Sequence, residues 1–472
     1  MKTAICVIIK DELDYLDEWL DYHFDLGIDE IYLYEDYGSL SHSTITKKYG
    51  DKVHLESIDI IFDKKDSKHG VAKQIKLFDW FPITYKDKFD WVLFIDIDEF
   101  LILKQPLQQL LKDYDDKPGL LLKWRYYGAN GHKTKPKGKV MDNYTKYSVC
   151  NFDYYWSKKS FVNLKYFTYW EITIHAINGG VYPINEFGDC KAYINHYFTK
   201  SWDEWKYKLL SRGDVAINNR KIYQFFKLNP DMLHMKNDLL LEIAIENATK
   251  LGFNKNYNPS DYNKKYVHFC WFGENKFSDL NLKCIESWKK YIPDNYVFCL
   301  WNESSSDYNE SSFAKEAYYN KQWAFVGDYI RLWAIYNFGG IYLDVDVELL
   351  KPITDLPDNF LAIEPFYNNN FNIAMGLGFG AEKNNNIIKN ILDIYSYLEF
   401  NNDFKFELTS SLITTRYLLN NGYAVNNKNI HEFLGFTIYP TTYFCPKSFI
   451  TDELNITNDT ISIHHYQKTW VI

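Results

Sequence analysis

Asp90-Trp-Val-Leu-Phe-Ile-Asp-Ile-Asp-Glu99 and Gly339-Gly-Ile-Tyr-Leu-Asp-Val-Asp-Val347 decide how this chain is read. Each is a short apolar run that closes on Asp-X-Asp, and one lies in each half. Strand side chains repeat every two residues, so Asp96 and Asp98 are expected on one side of a sheet. Paired hard carboxylate oxygens suit Mg2+ or Mn2+. A pair at the exposed end of a buried strand can hold such a cation against a diphosphate. The bare triplet is common, so its surroundings must carry the reading.

Around the first triplet the pattern alternates. Residues 3–9 read as a strand. Leu13, Leu16, Leu20 and Phe24 recur at helical spacing, and Gly27 marks the stop. Ile31-Tyr-Leu-Tyr34 is the next strand, and a helix over 69–80 precedes the strand 90–95. Strands alternating with helices predict an α/β sheet, mostly parallel, with ligands outside the carboxyl ends of its strands. The segment 200–250 reads as largely helical. The polar stretch 254–265 reads as a linker. A second β-α-β series starts at Tyr266, with helices over 279–290 and 323–337 and a strand over 296–300. The expected domains are therefore 1–255 and 266–472. The two halves share a plan without obvious sequence identity.

With 472 residues, 46% of them hydrophobic, the chain has material for two cores. A net charge of -9 with no basic block excludes a duplex nucleic-acid binder and a polybasic membrane anchor. The 40 Tyr and 14 Trp read first as aromatic cores and second as sugar-stacking clefts. Seven scattered Cys without a C-x-x-C pattern predict buried free thiols in a reducing compartment and no zinc site. The start, Met1-Lys-Thr-Ala-Ile-Cys-Val-Ile-Ile-Lys10, reads as a strand and not a signal peptide. No stretch has the length of a membrane span. The expectation is a cytoplasmic protein with at most peripheral membrane contact.

Several ordered motifs in the first half resemble glycosyltransferase family 92 and related family 2-like domains. They are Lys10 to His23, Ile31-Tyr-Leu-Tyr-Glu-Asp36, Phe94-Ile-Asp-Ile-Asp-Glu-Phe100, Trp124 to His132 and Ile194-Asn-His-Tyr-Phe-Thr-Lys-Ser201. The resemblance covers most of 1–215 and implies a GT-A fold and an inverting, metal-dependent transfer. It places Asp96 on the nucleotide ribose and the metal, and Asp98 on the metal. His196 is expected as a third ligand or diphosphate contact. Lys200 and Arg212 can pair with phosphates, and Glu35 and Asp36 can meet the uracil or ribose. Inversion needs a general base; Glu99, Asp153 and Glu171 are the candidates.

In the second half, Asp328 and Arg331 lie three apart on one helix face. Gly339-Gly340 permits a tight turn that brings them to Asp344 and Asp346. This run, with Val267 to Gly273 and His464-His-Tyr-Gln-Lys-Thr-Trp470, is similar to glycosyltransferase family 32, the DXD sugar-binding group. It is more distantly similar to clostridial glucosylating toxins. That resemblance implies Asp328 and Arg331 on the donor sugar, Asp344 on ribose and sugar, Asp346 on the metal, His465 near the metal and Trp470 near the diphosphate. It also implies retention of configuration. The family often has a Thr-Gly-Pro turn before a helix; here Leu408-Thr-Ser-Ser-Leu412 stands there.

The expectation is two GT-A-type, Rossmann-like nucleotide-sugar-binding domains in tandem. Each would use one Mn2+ or Mg2+ and a UDP-sugar, with GDP-mannose an alternative in the second. The acceptor would be a growing glycan or lipid-linked glycan. The rivals are a single catalytic domain with a degenerate partner, a non-catalytic carbohydrate-binding protein and a nucleotidyltransferase. The last would need a basic, Gly-rich loop that Thr3–Lys10 does not provide.

Overall fold

The computed structural model describes residues 1–10, 13–36, 47–61, 70–148, 158–167, 177–184, 189–210, 222–259, 264–353, 355–365, 371–449 and 451–467. The chain divides into two compact units, Met1–Leu233 and His234–Ile472. Both are mixed α/β.

The first unit is built on a nine-stranded sheet. Its strands are β1 (Thr3–Ile9), β2 (Glu30–Glu35), β3 (Val53–Ser57), β4 (Trp91–Phe94), β5 (Glu99–Leu103), β6 (Gly119–Tyr127), β7 (Tyr147–Ser148), β8 (Lys158–Asn163) and β9 (Ala192–His196). The order is β3-β2-β1-β4-β8-β6-β9-β5, with β7 on β6. β1 to β4 are parallel neighbours, and β8 runs antiparallel to β4. Helix α1 (Leu13–Asp25) follows β1 and buries Tyr15, Leu16, Trp19 and Leu20 at helical spacing, against the core that holds Ile5, Leu33 and Leu93. Helix α2 (Gly70–Tyr85) covers a second core with Leu77, Phe78 and Phe81. Helix α3 (Trp202–Leu210) starts after Ser201.

The second unit opens with helix α4 (Lys236–Lys250), which packs on β11 (Tyr296–Trp301). The sequence places this helix in the first domain; the contacts place it in the second. Its buried side chains, Leu239, Leu240, Ile243, Ala244 and Ala248, need a partner surface, and β11 is that surface. The eight-stranded sheet runs β11-β10-β12-β16-β14-β18-β17, with β15 on β14. Its remaining strands are β10 (Lys265–Cys270), β12 (Gly340–Tyr342), β14 (Phe360–Pro365), β15 (Phe371–Ala374), β16 (Phe379–Ala381), β17 (His431–Phe433) and β18 (Phe436–Tyr439). A separate ribbon pairs β13 (Val347–Leu349) with β19 (Ser462–His464). Helix α5 (Asp279–Tyr291) is capped by a reciprocal Ser278–Asn281 box. Helix α6 (Trp323–Phe338) ends at Gly339, and helix α7 (Ser410–Asn420) follows Thr409. Gly339 and Gly340 both have positive φ, and a Cβ on Gly340 would meet the Tyr266 carbonyl oxygen at 2.3 Å. Only glycine fits that turn.

Candidate active sites

The two acidic triplets sit in the same backbone frame. In neither unit is Asp-X-Asp on the strand itself; it forms the turn after β4 and after β12. The first Asp closes each turn through its carbonyl, which accepts from Glu99 N at 3.0 Å and from Val347 N at 3.0 Å. The strand that follows pairs antiparallel with a late strand ending in histidine. Glu99 lies opposite His196, and Val347 opposite His464. The carbonyl of the second Asp then accepts from the residue after that histidine, from Tyr197 N at 2.8 Å and from His465 N at 3.0 Å. Each histidine thereby faces the second carboxylate of its triplet, His196 Nε2 at 3.5 Å from Asp98 and His464 Nε2 at 3.2 Å from Asp346.

In the second unit Arg331 is the hub. Its guanidinium lies 3.2 Å from Asp328 and 3.2 Å from Asp344, and its Nε donates to the Gly327 carbonyl at 3.2 Å. Tyr342 donates to Asp344 at 2.8 Å. Asp328 is held from its other side by Ser410, whose backbone N–H donates at 3.0 Å and whose hydroxyl donates at 2.6 Å. Ser410, the first residue of α7, thus fixes Asp328 together with Arg331. Asp346 accepts from Gln467 N at 3.0 Å. Burial alone would raise Asp346, but His464 and the Gln467 amide pull it down to about 2. Burial raises Asp344, which Arg331 only partly offsets.

Oxygen or nitrogen atoms of Asp344, Asp346 and His464 all lie within 4.8 Å of one another. His464 Nδ1 is buried without a hydrogen-bond partner among the described residues. Two carboxylates and an imidazole fit a hard or borderline divalent cation. His465, the histidine expected near the metal, turns instead to Glu348 at 2.9 Å. The pairing of Val347 with His464 at the end of β19 decides this, because successive residues of extended chain point to opposite faces and His465 follows directly. Glu364, which sequence reading did not single out, joins the cluster through Ser411, His464, Asp344 and Arg331, and burial raises its pKa.

In the first unit Asp98 lies 2.9 Å from Lys208 Nζ on α3. Burial would raise its pKa, yet Lys208 and His196 hold it well below the usual carboxylate range. Asp96 is paired with Lys159 Nζ of β8 at 2.7 Å and accepts from Gln74 at 3.2 Å. Glu99 is fully buried between Lys159 at 3.8 Å and His196 at 3.8 Å, and burial raises it well above the ordinary value. Asp98, Glu99 and His196 form the second set of atoms within 4.8 Å. Lys200 is buried with its ammonium 4.0 Å over the Tyr15 ring. Glu35 ends β2, and Asp36 pairs with Lys73. Arg212, Asp153, Glu171 and Trp470 lie outside the described residues.

Among the described residues no helix is long and apolar enough to cross a membrane. Six cysteines, Cys6, Cys190, Cys270, Cys284, Cys299 and Cys445, are free.

Residues 3–227 match the model of glycosyltransferase family 92, and residues 278–367 match the glycosyltransferase sugar-binding region containing the DXD motif. A glycosyltransferase family 92 protein of Oryza sativa subsp. japonica is 25% identical over 228 residues, 44% of this chain and 35% of that protein. The chain thus spans about a third of that curated relative. Among solved structures, the PaToxG glycosyltransferase aligns over 40% of this chain and 80% of its own at 18% identity and a TM-score of 0.27. TarS residues 1–349 of S. aureus aligns over 52% of this chain and 82% of its own at 16% identity and a TM-score of 0.26. The chain therefore carries, in succession, two regions that match glycosyltransferase family models, that of family 92 and that of the DXD-containing sugar-binding region.

Proposed function

We propose that the chain is a bifunctional glycosyltransferase, with one nucleotide-sugar site in each unit. The observation that carries this reading is the repeated frame: a strand, an Asp-X-Asp turn, and an antiparallel partner ending in the histidine that meets the second Asp. A frame repeated in two units of different sequence argues for a repeated task. UDP-sugars are the donors proposed for both sites, with GDP-mannose an alternative in the second.

In the second unit Asp344, Asp346 and His464 would hold Mn2+ or Mg2+. A bound divalent cation supplies charge neutralisation for the leaving diphosphate. Arg331 and Asp328 orient the donor sugar, Arg331 through its donors and Asp328 through oxygens that Ser410 already fixes. Arg331 is held in place by three partners, so it is preorganised. The transfer there is proposed to retain configuration. In the first unit the transfer is proposed to invert, with Asp96 towards the ribose. Glu99 is the candidate base among the described residues, and burial raises its pKa above the ordinary carboxyl value. The acceptor is proposed to be a growing glycan, free or lipid-linked.

The test is a screen of nucleotide-sugar hydrolysis with Mn2+ on wild type, Asp98→Ala and Asp346→Ala. Two donors, each lost in a different variant, support two sites. One donor, lost in one variant only, favours a single catalytic unit. No turnover, with glycan bound in the absence of nucleotide, favours a carbohydrate-binding protein.

A further inference from the structure

The two sites share a backbone frame but not a charge environment. Among the described residues, the ion pairs of Asp344 and Asp346 are made with Arg331 and His464, and with no lysine. In the first unit each carboxylate of the triplet already carries its own ammonium. Lys159 Nζ is 2.7 Å from Asp96 and Lys208 Nζ is 2.9 Å from Asp98. The side chains of these lysines are 2% and 6% exposed. Lys200 is a third buried ammonium whose field reaches Asp98. Lysine is almost never fully buried unless it is paired, and here the partners of Lys159 and Lys208 are the carboxylates of the acidic turn.

These lysines are not loose surface groups that swing away on binding. Lys159 is on a central strand, between Asp96 and Glu99 and 5.7 Å over the Trp124 ring. Lys208 is on α3 and also donates to the Phe198 carbonyl at 3.3 Å. A divalent cation on Asp98, Glu99 and His196 would sit beside both ammonium groups in a poorly screened setting. The ligand count fits a metal; the neighbouring charge does not. Among the described residues, Lys159, Lys200 and Lys208 thus bring three ammonium groups to the Asp96–Asp98 turn, a concentration of positive charge that suits phosphate oxygens.

We infer that the first unit takes its nucleoside diphosphate on Lys159, Lys200 and Lys208 without a divalent cation, so that only the second unit is metal-loaded. This rests on the proposed reading of the first unit as a donor site. The lysines would do there the charge neutralisation that a metal does elsewhere.

The experiment uses the full chain with Asp346→Asn, which silences metal binding in the second unit. UDP and GDP binding is measured calorimetrically in EDTA and in Mn2+, and bound Mn2+ is counted by electron paramagnetic resonance. The expected result is diphosphate binding in EDTA that Mn2+ changes less than about twofold, and no stoichiometric Mn2+. The double substitution Lys208→Met with Asp98→Asn removes both charges together, so no buried ion is left alone. It should weaken binding in EDTA at least about tenfold. Binding that needs Mn2+, or one Mn2+ per chain that Asp98→Asn abolishes, would overturn the inference and leave the donor site standing. No binding of either diphosphate in either condition would overturn the donor-site reading itself, and the inference with it.

Discussion

His23 and His268 are single residues that tie folding to pH, one in each unit. Both are fully buried. His23 Nδ1 donates to the Trp19 carbonyl at 2.8 Å, while Nε2 accepts from Leu101 N at 3.3 Å. His268 Nε2 donates to the Gly339 carbonyl at 2.9 Å, while Nδ1 accepts from Trp301 Nε1 at 3.0 Å. A ring that must accept on one nitrogen cannot take a second proton in place. Burial accordingly lowers His23 to about 3 and His268 to about 4. Both folded values lie below the unfolded value near 6.5, so their stabilisation is complete above that pH. It drains as pH falls towards 3 or 4, because only the unfolded chain binds the proton. Between pH 7 and pH 5 each histidine should cost about 2 kcal/mol of unit stability. Urea denaturation at the two pH values checks this. A stability unchanged across that window would refute it.

Gly376 supports a second prediction at the residue scale. A Cβ there would meet Asp344 Oδ2 at 2.2 Å, while Tyr342 and Arg331 fix that carboxylate from other sides. Gly376→Ala must therefore displace Asp344. A displacement of about 1 Å in a positioned group can cost about 100-fold in turnover. Donor hydrolysis by the second unit should fall by that order, with first-unit hydrolysis unchanged. Wild-type rates from both units would remove Asp344 from the proposed site.

Among elements, the ribbon β13–β19 decides which histidine meets the acidic turn. Val347 opposite His464 puts His464 on the Asp346 face and sends His465 to Glu348. His464→Ala should weaken Mn2+ binding at least about tenfold, whereas His465→Ala should leave it within about twofold. Titration of Mn2+ onto each variant separates them, and the reverse ranking would mean the strand register is wrong. The same ribbon shows what sequence could and could not supply. The strands, the helix before Gly339 and the Asp328–Arg331 spacing were legible, because periodicity and glycine placement are local. Which of two adjacent histidines faces inward was not, because it depends on a pairing partner more than a hundred residues away. Lys159 and Lys208 were equally hidden: isolated lysines on β8 and α3 look like surface cations until the sheet order brings them to the acidic turn. Glu364 gave no signal beyond an acidic residue in an apolar strand.

For the whole molecule the question is where one unit stops. Composition points to the polar stretch 254–265, but the chain divides between Leu233 and His234. Helix α4 is the cause. It buries Leu239, Leu240, Ile243 and Ile245, and it packs on β11. The link after it is stitched to the same strand. Phe253 stacks on Phe298 with ring centroids 4.0 Å apart, and Asn254 bonds both backbone groups of Phe298 at 2.8 and 2.9 Å. Four buried aliphatic side chains at about 1.5–3 kcal/mol each are worth on the order of 10 kcal/mol. That equals the whole stability of an ordinary domain. A fragment of residues 234–472 should therefore unfold cooperatively, while 266–472 should be insoluble or bind a hydrophobic dye without a transition. Thermal melts of the two fragments decide it. Equal transitions would mean that β11 does not need α4, and that the boundary read from composition is the physical one.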